Sequence, residues 1–254
     1  MAAYTNQQLD NLGMFCIPEP PLVTLDRKLR KAIQAGDAVE AVAVLADGAS
    51  VHVVDIHGRT PLHAASRADL GFHCIDVLIA HGAVVDARDG WGHAPLHSAV
   101  LSGPVEAVIA LLKHGAQADV EVNRLYSVVG NTPLQYVPYR IAEADVPVII
   151  KHLLAAGADL NRSYNTELFN TRGRRTQAMP VTPLVSSALL GSLITVKELI
   201  AQGARLPSTS DLWYMESISS NRESLAEIRK AIAWLSSLRC GWISACVQGG
   251  FASS

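Results

Sequence analysis

Asp55-Ile56-His57-Gly58-Arg59-Thr60-Pro61-Leu62-His63-Ala64-Ala65 is answered 34 residues later by Asp89-Gly90-Trp91-Gly92-His93-Ala94-Pro95-Leu96-His97-Ser98-Ala99. Two phrases in register make repetition the first thing to test, because a period of 20 to 50 residues decides the whole fold. Shorter echoes follow at Thr132-Pro133-Leu134-Gln135 and Thr182-Pro183-Leu184-Val185. A second phrase, Gly-Ala, recurs at Gly48-Ala49, Gly82-Ala83, Gly115-Ala116, Gly157-Ala158 and Gly203-Ala204, its glycines 34, 33, 42 and 46 residues apart. Aliphatic pairs such as Leu78-Ile79, Leu111-Leu112, Leu153-Leu154 and Leu199-Ile200 precede it.

Each phrase has a mechanical meaning. A Thr hydroxyl accepts an orphan backbone N–H at a helix start, and Pro at the first helical position has no N–H to waste. Thr60, Thr132 and Thr182 therefore open first helices. Glycine after an aliphatic pair closes a helix, since a left-handed residue without Cβ carries no steric cost. Gly82, Gly115, Gly157 and Gly203 therefore close second helices, and Gly71, Gly103 and Gly191 break each unit in two. Helices this short are unstable alone and must bury their apolar stripes against neighbours.

The phrases and their spacing resemble the ankyrin-repeat family, whose unit of about 33 residues is a turn and two helices carrying Thr-Pro-Leu-His. The resemblance covers about residues 25–238 and implies an all-α ankyrin-repeat solenoid of about four full repeats with terminal caps. An N-terminal extension is expected at 1–24 and a cap at 25–54, where Leu29, Ala32, Ile33, Val42 and Leu45 keep the apolar positions. Repeats follow at 55–88, 89–126, 127–176 and 177–207. A C-terminal cap at 208–238 carries Leu225, Ile228, Ile232 and Leu235 at helical spacing, and 239–254 is a tail. The resemblance also implies that His63 and His97 brace their turns by hydrogen bonding.

Departures from the period are candidates for individuality, because insertions in repeats map to loops on one face. Val122 to Tyr126 lengthens a turn by about five residues. The third repeat is about one helical turn longer than the second, and Pro138 within it should kink or split its first helix. Between Asn161 and Thr182 the connection gains about 13 residues, among them Tyr164, Phe169, Arg172, Arg174 and Arg175. Aromatic residues with arginines are the composition of binding hot spots.

In the family the turn tips and exposed sides of the first helices form a concave recognition surface. Transferred by register, it holds Ile56, His57, Arg59 and Arg67, then Trp91, His93 and Leu101. Val129, Asn131, Tyr139 and Arg140 follow, then Met179, Val181 and Leu189. Trp91 is the leading anchor, an indole expected to stand exposed in a turn. The expected partner is a protein bound through this surface and the insertion near 164–176.

Composition narrows the alternatives. With a net charge of -2 there is no basic excess to favour nucleic acid. Four scattered cysteines suggest a reducing compartment, hence a cytoplasmic location, and no run is apolar enough for a signal peptide or membrane span. No His or Cys spacing suits a metal, no glycine loop suits a nucleotide, and no nucleophile elbow is present, so no cofactor, metal or catalysis is expected. A rival enzyme site would draw on Tyr139, Arg140, Asp145 and His152 in the irregular third repeat. Asn161 matches a position that asparaginyl hydroxylases modify in some ankyrin proteins. For a largely repeat-built monomer, binding a partner would itself be the output, as for an inhibitor or immunity protein that neutralises a toxin or enzyme, or for a secreted bacterial effector that binds host proteins. The apolar tail Trp242 to Phe251 offers self-association as a further possibility.

Overall fold

The computed structural model describes residues 21–122, 132–140, 142–166, 179–218 and 221–233. The helix starts fall where Thr-Pro and its Ala-Pro variant stand. Helix α1 spans Pro21–Ala35 and α2 Ala38–Ala46; α3 spans Pro61–Arg67 and α4 Ile75–Ala80, entered through a 3-10 turn at Gly71–Cys74. Helices α5 (Pro95–Ser102), α6 (Val105–Lys113), α7 (Pro133–Tyr136) and α8 (Val146–Ala155) continue the series. Strands β1 (Tyr164–Thr166) and β2 (Met179–Val181) come next, then α9 (Pro183–Leu190), α10 (Leu193–Ala201), α11 (Thr209–Ile218) and α12, which covers 222–233.

The helices form two ranks. First helices α1, α3, α5, α7 and α9 pack in succession, and second helices α2, α4, α6, α8 and α10 do likewise behind them. Leu29, Leu62, Leu96, Leu134 and Leu184 are fully buried in the first rank, and Leu78, Leu111, Leu153 and Leu199 in the second. One continuous core runs from Leu29 to Ile228, as expected when every unit supplies half of each interface. The cap helix begins at Pro21, ahead of the sequence expectation. At the far end Leu225 and Ile228 are buried and Ile232 packs against the core.

Gly48, Gly82, Gly115, Gly157 and Gly203 all hold positive φ, from +83° to +104°, which is the reason for glycine after each second helix. Gly103 answers a different need. Its φ is -88°, yet a Cβ there would lie 1.9 Å from the Ser66 carbonyl oxygen, so it is the closeness of neighbouring first helices that excludes a side chain.

The third repeat departs from expectation in kind. Pro138 does split the first helix, but the extra length adds no α-helical turn. Helix α7 gives way to a 3-10 turn at Val137–Tyr139, an extended Arg140 and a second 3-10 turn at Glu143–Asp145. The all-α expectation gains one exception, an antiparallel pairing of β1 with β2 that sets Tyr164 opposite Val181 and Thr166 opposite Met179 at the base of the insertion. Phe169, Arg172, Arg174 and Arg175, and also Val129 and Asn131, lie outside the described residues.

Candidate partner-binding surface

The surface is built on the turns that precede the first helices. In each of the first two full repeats one aspartate organises the turn. Asp55 Oδ1 accepts the N–H of His57 (2.8 Å) and Arg59 (2.9 Å), and Asp89 Oδ1 accepts those of Trp91 (2.9 Å) and His93 (2.8 Å). Backbone bonds between Asp55 and Arg59, and between Asp89 and His93, close the turns. The Gly90 N–H donates to His57 O at 2.8 Å and stacks one turn on the next. Burial alone would raise the Asp55 carboxyl. The N–H donors of Arg59 and His57, with the charges of Arg30 and Arg59, outweigh it and hold the group below the ordinary carboxylate range.

Beneath each turn sits the phrase's fourth residue. His63 is fully buried; its Nδ1 accepts the Thr60 N–H (3.2 Å) and its Nε2 donates to His93 O of the next turn (3.0 Å). This geometry needs a neutral ring, and burial drives the pKa of His63 down, in agreement. His97 Nδ1 accepts the Ala94 N–H in the same way. In the third repeat Gln135 takes over: Oε1 accepts from Thr132 N (2.9 Å) while Nε2 donates to Arg162 O (3.0 Å) and Val181 O (3.4 Å). The fourth residue thus does more than brace its own turn; it bolts that turn to the following repeat.

These fixtures carry the side chains that face outward. Trp91 is 40% exposed. Its ring lies 5.0 Å from that of His57, stacked at 27°, and the Arg59 guanidinium stands 5.0 Å from its centroid. Trp91 is exposed but not bare: it leans on the preceding turn through ring stacking and a cation–π contact. One face is spent on the protein and the remainder is presented in a fixed orientation. His93 bonds through Nε2 to the Tyr136 hydroxyl (2.8 Å), and Tyr136 meets both His93 and His97 edge-on. A depression of about 270 Å³ lies among Arg59, Arg67, Trp91, His93, Leu101 and Tyr136. It adjoins another of about 350 Å³ bordered by Arg30, Gln34, Asp55, Arg59 and Arg67.

The remaining expected positions divide. Ile56 is 95% exposed and Tyr139 49%. Val181, by contrast, is buried and leaves the surface. Arg140 must be withdrawn as well. It is 8% exposed; Nη1 donates to Ala99 O (3.3 Å) and Val100 O (3.1 Å), and Nη2 pairs with Asp145 at 2.7 Å. It caps the carbonyl end of α5 and ties α5 to the entry of α8, a role that favours a cation. Met179 is placed by its backbone in β2. Asn161 Oδ1 accepts the Arg205 N–H at 2.7 Å, continuing a ladder in which Asp86 accepts from Gln117 N and Asp119 from Asp159 N.

Three members of the rival enzyme site, Arg140, Asp145 and His152, are engaged in bonds of the fold itself. His152 donates Nδ1–H to Val148 O in its own helix, while Asp145 is engaged by Arg140. Among the described residues no three His, Cys, Asp or Glu side chains gather as a metal site, and no helix is long and apolar enough to cross a membrane. Sequence reasoning overlooked Arg30, Gln34 and Tyr136. The register of Leu29, Leu62 and Leu96 would have found one of them, since Gln34, Arg67 and Leu101 each stand five residues further on.

Stacked helix pairs with turns projecting along one side and a groove beside them define a helical repeat solenoid. Comparison with known proteins agrees with this over part of the chain. The model for ankyrin repeats (3 copies) matches residues 29–124, so this stretch is built of ankyrin repeats. It is similar to "Putative palmitoyltransferase ZDHHC13" of Danio rerio, 35% identical over 96 residues, which cover 37% of this chain and 15% of that one. It is 31% identical over 118 residues to "Putative ankyrin repeat protein" of Rickettsia bellii, covering 45% and 47% of the two chains. Rabankyrin-5 of Homo sapiens is 26% identical over 160 residues, 63% of this chain and 12% of its own. The chain thus spans less than half the length of each of these relatives, and the activity in the first one's name does not transfer with the match. Ankyrin repeats are in general protein–protein interaction modules.

Proposed function

We propose that this chain is a non-catalytic binding module that captures a partner protein on its concave face, with Trp91 as the anchor and the insertion at 164–176 as a second contact. The observation that carries this reading is Trp91: a large aromatic side chain held in one orientation by His57 and Arg59, 40% exposed, beside a groove. A pre-oriented aromatic loses little entropy on binding, and such residues carry most interface energy. Arg59, His93 and Tyr139 flank it on the same surface, and Phe169, Arg172, Arg174, Arg175 and Met179 belong to the second contact. The chain alone is a cytoplasmic monomer in this proposal, needing no metal or cofactor.

The test is affinity capture from the native organism by wild-type protein, by Trp91→Ala and by a chain lacking 164–176, with mass spectrometry of the captured proteins. A partner held by the wild type and lost from both variants, with circular dichroism unchanged, supports the reading. A partner retained equally by all three removes it. Once a partner is in hand, its activity with and without the repeat protein separates blocking, as by an inhibitor or immunity protein, from simple tethering, as by an effector that binds host proteins.

A further inference from the structure

The groove beside Trp91 and the depression adjoining it are lined by three arginines whose guanidinium N–H groups find no acceptor among the described residues. Arg30 comes from α1, Arg59 from the turn before α3 and Arg67 from the last turn of α3. Among the described residues none of the three guanidiniums donates a hydrogen bond or sits in an ion pair. Among the described residues Arg205 and Arg222 are likewise without a side-chain hydrogen bond or ion pair, whereas four other arginines are engaged. Arg88 bonds to Gly92 O, Arg140 to Asp145, Arg162 to Glu121 and Arg229 to Glu216. The two carboxylates bordering the groove, Asp55 and Asp89, spend Oδ1 on the N–H groups of their own turns. Three cations and two committed anions leave the groove positive in a chain whose net charge is -2.

We propose that this groove takes an extended acidic segment of the partner protein, with carboxylates on Arg30 and Arg67 and an apolar side chain between Trp91 and Leu101. The proposal rests on the protein-binding reading and specifies the partner's chemistry. A guanidinium presents paired N–H donors that match a carboxylate, and its charge is worth more in a partly enclosed groove than on an open face. Leu101 is 39% exposed and borders the depression that Trp91 also lines, so an apolar contact lies within one groove of the charges. A phosphate backbone fits less well: its binding gains from many counterions released, and here three cations stand beside two fixed carboxylates that repel a uniformly charged strand.

The experiment is selection from a random peptide library displayed on phage, run in parallel on the wild type, Trp91→Ala and the double variant Arg30→Gln/Arg67→Gln. Fluorescence anisotropy of the recovered peptides and of an oligouridylate follows. Wild-type protein is expected to enrich peptides with several acidic residues around an apolar one, and the double variant to lose that bias. Each arginine removed should weaken an acidic peptide by up to about fivefold, as for a partly exposed ion pair, and added salt should erase the difference. Enriched peptides without acidic bias, equally bound by the double variant but lost with Trp91→Ala, overturn the acidic assignment and leave the concave-face reading standing. Peptides indifferent to both variants overturn the two together. Oligouridylate bound as tightly as the acidic peptides overturns the assignment in favour of nucleic acid.

Discussion

Replacing His63 tests whether the fourth residue of the repeat phrase acts as a bolt between repeats. Its ring accepts the Thr60 N–H and donates to His93 O, 30 residues away, from a position with no exposure. Leucine preserves bulk but removes both bonds, together with the contact of the Thr60 hydroxyl to Nδ1 at 2.9 Å. Each is worth about 1 kcal/mol net, and a polar group left unsatisfied inside costs about 1–3 kcal/mol more. Thr60 and His93 are only half-buried, so water relieves part of that cost, and His63→Leu should lose about 2–3 kcal/mol. Glutamine is the informative partner, because Gln135 already makes the equivalent pair of bonds with Oε1 and Nε2. His63→Gln should therefore cost about 1 kcal/mol or less. Urea unfolding at neutral pH, followed by circular dichroism, measures both.

The same pair carries a pH signature. Burial depresses the folded-state pKa of His63 below its unfolded value. The unfolded chain then binds the extra proton, so this group's contribution is complete above about pH 6.5 and declines as pH falls through the window between the two pKa values. The wild type should lose stability relative to His63→Gln on acidification through that window. A leucine variant within error of the wild type, or a glutamine variant as unstable as the leucine one, would refute the bolt.

Other consequences follow from the same structure. Gly103→Ala drives a Cβ against Ser66 O and should cost about 3 kcal/mol, whereas Gly82→Ala, open in space but at φ +90°, should cost about 1–2 kcal/mol; thermal melts rank them. Arg140→Met removes the cap on α5 and frees Asp145, with an expected loss of about 2–3 kcal/mol, and Arg140→Lys should recover less than half because an ammonium cannot span the same three acceptors. Trp91→Ala gives up one cation–π contact and one stacked ring, so its melting curve should move by about 1 kcal/mol or less even where binding is lost. Arg162→Ala, breaking a close but half-exposed pair with Glu121, should change stability by less than about 1 kcal/mol in the same melts.

How far the sequence reached can be traced through individual residues. Thr60-Pro61 and Thr182-Pro183 marked helix starts because capping is settled within three or four residues. Gly82 and Gly157 marked helix ends because a left-handed backbone is a property of one residue. Leu62, Leu96 and Leu134 were identifiable as core because the period brings the same face inward each time. These local rules, repeated, were sufficient for the ankyrin architecture. They also located the irregular third repeat, though not its form, since Pro138 forbids a continued helix without specifying the extended Arg140 that follows.

Exposure was decided elsewhere. Arg59 and Arg140 both read as arginines on a concave face. One stands over Trp91 with its guanidinium free of hydrogen bonds, and the other is sealed beneath α5 by carbonyls 40 and 41 residues distant. Trp91 itself reads as a bare indole until the preceding turn comes within 5.0 Å of it. The sequence determined where helices start, turn and stop, because those choices are made between neighbours along the backbone. Whether a side chain faces a partner or a neighbouring repeat was left to the stacking of one unit on the next, since the atoms that answer it lie one repeat away and are brought close only by the fold.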